Sequence, residues 1–317
     1  MSVGKQVIPG ATVPNRITLN PLTMLGQLSE SRYWAYFLIL PSLIFIFAIV
    51  IYPVANGVGL SFQELRLNRP DRTGYIGLQH YVDLFSDRVF LKALSNTVIW
   101  VIGGITSQFL LGLVTALALN RPLRGMRIAR VLVLLPWILP SVVAAHMWAL
   151  MLDSRLGVIN DILLRLGLIT QYRAWFAEKD IVFPAVMLVA LWQSFPFFTL
   201  MLLAGLQGIP EDLYEAASVD GGNIFQRFRY ITLPMLRPII VATVVLRVIG
   251  LVNSPDLLMV LTKGGPGDTT QVLSLYAFQK AYNQFDFGYA GALSVIMLLI
   301  LMVFTIVYVR VSGAARD

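Results

Sequence analysis

The chain has 317 residues, 57% of them hydrophobic and only 13% charged, with a mean hydropathy of +0.74. Soluble domains carry about 25% charged residues, so this composition excludes one and points to an integral membrane protein. Absence of cysteine excludes disulfides and thiolate metal sites, two histidines (His80 and His146) leave little for a histidine metal centre, and the net charge of +7 is scattered among apolar runs, as suits anionic lipid rather than nucleic acid.

Residues 1–34 contain Pro9, Pro14 and Pro21 and no apolar run of signal-peptide length, so they read as a cytoplasmic tail. Apolar stretches of about twenty residues, the length that crosses a bilayer, then recur along the chain. The first covers 35–60 and is followed by a polar connection, 61–96. A second covers 97–119 and a third 131–152, where Pro136 and Pro140 predict a kink. After a mixed segment, 153–180, come a fourth at 181–207, a fifth at 239–262 and a sixth at 288–309. The expectation is an all-α integral membrane protein of six transmembrane helices, with a membrane domain over 35–310 and a short C-terminal tail over 311–317.

With the N-terminus inside, the inner segments hold 12 Lys/Arg and the outer ones 11, which does not orient the chain. The short connection 120–130 does: it carries four arginines and no acid, and positive charge in short loops stays inside. An even number of spans then places both termini in the cytoplasm, together with the polar segment 208–237.

That segment is the most informative in the chain. Pro210 is expected at the first helical position, with Glu211 and Asp212 in the first turn, where a helix dipole favours acids. Ala216 and Ala217 keep the helix surface low, so a partner can approach its backbone. Gly221 and Gly222 supply positive φ for a chain reversal. A second short helix should then be stopped by Pro234.

Glu215-Ala-Ala, three residues, Gly221, nine residues and Ile231-x-Leu-Pro234 resemble the EAA loop of membrane subunits in binding-protein-dependent ABC importers. The likeness extends through Leu40-Pro-Ser-Leu, Gly77-Leu-Gln-His-Tyr81, Gly157-Val-Ile-Asn160, Leu261-Thr-Lys-Gly-Gly-Pro266 and Gly288-Tyr-Ala-Gly-Ala-Leu-Ser294, which are similar to maltose-type (MalF-like) carbohydrate permeases. The resemblance implies the ABC importer type I permease fold in a bacterial inner membrane. It also implies partners: a second homologous permease subunit, two copies of a cytoplasmic ATPase, and an extracytoplasmic solute-binding protein. On that reading Glu211, Asp212, Tyr214, Glu215, Ala216, Ala217, Asp220 and Gly221 couple to the ATPase.

Carried over by position, the same resemblance implicates Gln193, Ser194, Phe197, Gly250, Leu251 and Ser254 in the substrate pathway, with Asn253 adjacent. Amide, hydroxyl and aromatic groups suit a sugar. Arg247, eight residues into the fifth span, either lines that path or is a buried arginine satisfied by backbone carbonyls or a neighbouring helix. Asn253-Ser-Pro-Asp256 interrupts the same span, as broken helices do where transporters bind solute. Asp256 stands too far along one helix to pair with Arg247. His146 reads as a hydrogen-bonded packing residue, and Trp148 and Trp175 as interface anchors.

No Gly-x-x-x-x-Gly-Lys-Ser/Thr phosphate loop occurs. The chain is therefore read as non-catalytic and without a cofactor of its own, ATP and Mg being bound by the partner ATPase. The alternative is a self-sufficient secondary transporter, which needs paired intramembrane ionisable residues.

Overall fold

The computed structural model describes residues 34–313, so the expected tail over 1–34 lies outside the described residues except for Trp34, as do 314–317 at the other end. Described residues divide into two units at Asn56 and Gly57. α1 (Trp34–Ile46), in the first, passes through a π turn at Phe47–Ile51 into α2 (Tyr52–Leu60), whose last four residues belong to the second, and the apolar run Leu38–Leu60 is long enough to cross a bilayer. The π turn ends two residues before Pro53. Its wider turn moves the ring away from the preceding carbonyl that it would strike in an α-helix.

The second unit begins with a connection more ordered than a polar linker. Strands β1 (Gln63–Glu64) and β2 (Gly74–Tyr75) pair antiparallel, and α3 (Gln79–Ser86) leads into α4 (Arg88–Leu119), which starts nine residues before the expected span. Asp87 caps α4 through the Val89 amide at 2.8 Å and accepts from the Tyr276 and Tyr289 hydroxyls at 2.5 and 2.6 Å. Burial works against its charge, but these hydrogen bonds outweigh burial and hold the Asp87 carboxyl below its usual range.

The third expected span is not a kinked helix. α5 (Met126–Ile138) and α6 (Ser141–Met151) meet at 94°. Pro140 has no amide hydrogen to carry the ladder across, and Leu139 before it is extended (φ −68°, ψ 133°). A short α7 (Val158–Arg165) precedes α8 (Lys179–Gln207). Here Trp175 donates to Asn160 Oδ1 at 2.9 Å and Trp148 meets Trp192 edge-on at 5.5 Å. Both indoles pack against the internal cluster around Val186 and Leu258.

α9 (Glu211–Val219) and α10 (Ile224–Arg227) follow, and a π turn at Phe228–Thr232 runs on into α11 (Leu233–Asn253). Pro234 therefore stops nothing. It sits in the first turn of α11, two residues beyond a π turn, the arrangement already seen at Pro53. α12 (Asp256–Leu261), α13 (Leu273–Phe278) and α14 (Phe287–Val311) complete the chain. Among the described residues, five helices are long and apolar enough to span a membrane, and the bent pair α5–α6 makes a sixth if counted as one span.

α4 and α8 form the centre of the second unit, and glycines set how close they come. A Cβ at Gly112 would lie 2.5 Å from Phe198 Cβ and 3.1 Å from the Phe195 carbonyl. Asn96, also on α4, donates to the carbonyls of Asp268, Thr269 and Gln271 at 2.8–3.0 Å and so fastens the loop before α13. Gly112→Val should lower the detergent unfolding temperature, since overpacking costs about 1–3 kcal/mol. Gly59→Ala, whose added methyl meets nothing within 4 Å, should not lower it.

Candidate functional site

Two helix breaks meet at one cavity. It measures about 190 Å³ and receives Trp100 from α4, Trp137 from α5, Ser141 from α6, and Ala190, Gln193 and Ser194 from α8. Arg247, Gly250 and Leu251 come from α11, Ser254 from the gap after it, and Leu257 from α12. Backbone that leaves the helix at membrane depth is tolerated only inside protein or beside a cavity, and here both interruptions are so placed.

Arg247 dominates the cavity. Its Nε donates to Gln108 Oε1 at 2.8 Å and its Nη2 to Ser194 Oγ at 2.6 Å, so one guanidinium joins α11, α4 and α8. Gln108 is fully buried, and its amide nitrogen points to the Ala190 carbonyl at 3.5 Å, which turns its oxygen toward the arginine. Among the described residues Arg247 forms no ion pair. Two neighbouring helices thus satisfy Arg247, as one of the sequence readings has it, and the side chain also lines the cavity.

The polar rim is held separately. Asp256 begins α12 and accepts from Ser254 Oγ at 3.0 Å, with Ser141 Oγ at 3.5 Å. Gln193 donates to the Leu139 carbonyl, freed by the α5–α6 break, at 3.3 Å. Of the residues expected on the pathway, Gln193, Ser194, Arg247, Gly250, Leu251 and Ser254 gather here. Two do not line the cavity: Phe197 packs on Trp137 at 5.9 Å between ring centres, and Asn253 turns back to the Ile249 carbonyl at 3.0 Å. His146 likewise bonds the Val142 carbonyl one turn back, at 2.8 Å.

The second candidate is the elbow formed by α9 and α10. Pro210 is the N-cap rather than the first helical residue, and Glu211 and Asp212 follow in the first turn. Only Gly221 has positive φ, +78°. Gly222 serves closeness instead, because a Cβ there would lie 2.7 Å from the Ala217 carbonyl. Asn223 and Gln226 form a reciprocal capping box that starts α10. The elbow is braced internally: Tyr214 Oη meets Thr232 Oγ1 at 2.9 Å, and Arg227 donates to Ser218 Oγ at 2.9 Å.

The family described as binding-protein-dependent transport system inner membrane component matches residues 108–316. The chain belongs to that family. The trehalose/maltose transport system permease protein MalF of Thermococcus litoralis is 38% identical over 298 residues, covering 94% of this chain and 99% of that one. The sulfoquinovosyl glycerol transport system permease protein SmoG of Agrobacterium fabrum is 37% identical over 280 residues, covering 88% and 90%. In fold, the permease is similar to a chain of a bacterial ABC transporter involved in import of the acidic polysaccharide alginate, with TM-score 0.78, 22% identity and coverage of 92% and 98%. A permease of this family is an inner membrane component, and the secondary-transporter alternative is set aside.

The elbow of the permease exposes Glu211, Asp212, Glu215, Ala216, Asp220 and Gly221, while Ala217 is half-buried and Tyr214 is turned inward on Thr232. Sequence reasoning missed the apolar side chains beside them. Val219, Ile224 and Phe225 are 88%, 80% and 73% exposed, a patch that water alone does not favour. Apolar residues flanking the glycine turn were the available signal.

Replacing Gln108 with leucine removes the acceptor for Arg247 Nε and leaves that buried donor unpaired. The variant should lose about 1–3 kcal/mol, read as a lower unfolding temperature of the purified protein.

Proposed function

We propose that this permease carries a sugar or sugar-like solute across the membrane, driven by ATP that a separate subunit hydrolyses. The observation that carries the reading is the exposed elbow: a braced helix with an acidic exposed face, followed by a glycine reversal and an apolar patch on the short helix α10, which runs on into α11 and so to the cavity wall. A push on α9 is transmitted through the Tyr214–Thr232 contact to the base of α11, and so toward Arg247, Gly250 and Ser254. The coupling surface is Glu211, Asp212, Glu215, Ala216, Asp220 and Gly221 with Val219, Ile224 and Phe225, and Tyr214 and Ala217 act from behind it.

In this scheme both termini and the elbow face the cytoplasm, where two copies of an ATPase hold ATP and Mg. A second, homologous permease subunit completes the channel. An extracytoplasmic binding protein delivers solute to the mouth formed by 61–96, 153–180 and 263–287. The chain itself performs no chemistry. Gln193, Ser194, Ser254 and Arg247 present hydroxyl, amide and guanidinium groups to the solute, and Trp137 supplies an apolar ring face. The sugar class is supported by the trehalose/maltose and sulfoquinovosyl glycerol relatives, whose shared feature is a hydroxyl-rich ring.

The reading is tested at Gly221. Added atoms there meet nothing within 4 Å, so valine acts only through backbone strain at φ +78°. Gly221→Val should insert and accumulate normally while ATP-driven uptake falls to background. Normal uptake by that variant would refute the role given to the elbow.

A further inference from the structure

The connection between α4 and α5 has no part in either site, yet it is the most strongly charged stretch in the chain. Arg121, Arg124, Arg127 and Arg130 fall within ten residues, and among the described residues none of them forms an ion pair. Arg130 is partly engaged, donating Nη2 to the Leu119 carbonyl at the end of α4 at 3.0 Å. The other three are exposed. The 13-residue helix α5 begins here with Gly125 as its N-cap, no side-chain cap and no acid in its first turn. A helix N-terminus carries partial positive charge, so the arginines add to the dipole instead of offsetting it. An anion is what this end of the chain lacks.

The arginines surround a surface groove of about 530 Å³ that runs from Arg121 to Arg130. Arg130 also lines a second cavity, of about 220 Å³, between α4, α5 and α8. That cavity is otherwise largely apolar, with Leu119, Val133, Leu134, Leu200 and Leu203 in its wall. Leu123 and Ile128, among the arginines, are 57% and 67% exposed. A basic mouth thus shares one residue with an apolar slot, on a loop that joins two spanning segments and so lies at a bilayer surface whichever way the chain is oriented. A soluble anion would use the mouth and leave the slot empty. A neutral lipid would use the slot and leave the charge unanswered.

We infer that this groove and slot bind one anionic phospholipid of the surrounding membrane, its phosphate among Arg121, Arg124 and Arg127 and one acyl chain in the slot beside Leu200. Basic residues at an anionic surface contribute about 1 kcal/mol each, which is roughly fivefold in affinity per arginine. The lipid supplies the counter-charge that the chain omits and fills the space between the cytoplasmic-facing ends of α4, α5 and α8 assigned above.

Native mass spectrometry of the assembled transporter, released from nanodiscs of phosphatidylglycerol or phosphatidylcholine, tests this. The wild type should retain phosphatidylglycerol in preference to phosphatidylcholine. Arg124→Gln with Arg127→Gln should weaken that retention about 25-fold, the double lysine variant should restore most of it, and Leu200→Trp should weaken it with every charge intact. Unfolding temperature and ATPase content are read on the same samples, so that a misfolded variant is recognised and the lysine pair then carries the comparison. Equal retention of the two lipids overturns the inference, as does retention indifferent to the glutamine pair. Displacement by soluble glycerol phosphate would show an anion site without a lipid, and loss of ATPase in step with lipid would show that the arginines hold a protein partner; either result also overturns it.

Discussion

One charge inside an apolar bundle constrains the rest of the second unit. Among the described residues no carboxylate pairs with Arg247, and neutral oxygens from two other helices are presented to it instead. That arrangement places Gln108 and Ser194 at one level and holds α4, α8 and α11 in register there. It also explains why Gln108 tolerates full burial: its amide is satisfied on both sides, by Arg247 and by the Ala190 carbonyl. Glycines make the approach possible. Gly104 on α4 lets Leu251 of α11 come close, where a Cβ would stand 3.3 Å from the Leu251 side chain.

Around this clasp the chain is broken twice, at Leu139–Pro140 and at Ser254–Pro255, and each break turns backbone or a short polar side chain toward the cavity. Proline is the common cause. Elsewhere proline is accommodated without a break: π turns precede Pro53 and Pro234, and Pro41, Pro136, Pro184, Pro196 and Pro238 lie inside helices. The same residue type therefore has two outcomes, and the distinction matters for coupling. Continuity from the π turn at Phe228–Thr232 into α11 makes α10 and one cavity wall parts of a single rod.

The apolar spans were legible because bilayer thickness demands about twenty apolar residues in a row, and the elbow because its spacing of Glu215, Ala216, Ala217, Gly221 and Pro234 is distinctive. Five pathway residues named by resemblance, and Arg247, named as a charge within the fifth span, fall on one cavity. What could not be read depends on contacts across long separations. Gln108 lies 139 residues from Arg247, and Asn96 reaches carbonyls 172 or more residues away. Proline predicted a bend between α5 and α6 but carries no angle, so 94° was beyond it. Tyr214 looked like a surface residue because its partner, Thr232, lies beyond a chain reversal.

The proposed function has motion made outside this chain reach its cavity through the elbow, and that is measurable directly. The sequence has no cysteine, so spin labels can be placed at Tyr230, at the foot of α11 and outside the coupling surface, and at Val311 on α14 with no background from this chain. Pulsed electron paramagnetic resonance on the assembled transporter then compares the label distance without nucleotide and with ATP trapped in the partner. A discrete shift of the whole distance distribution on trapping ATP is the expected result. An unchanged distribution, in a preparation that still transports, would contradict the account.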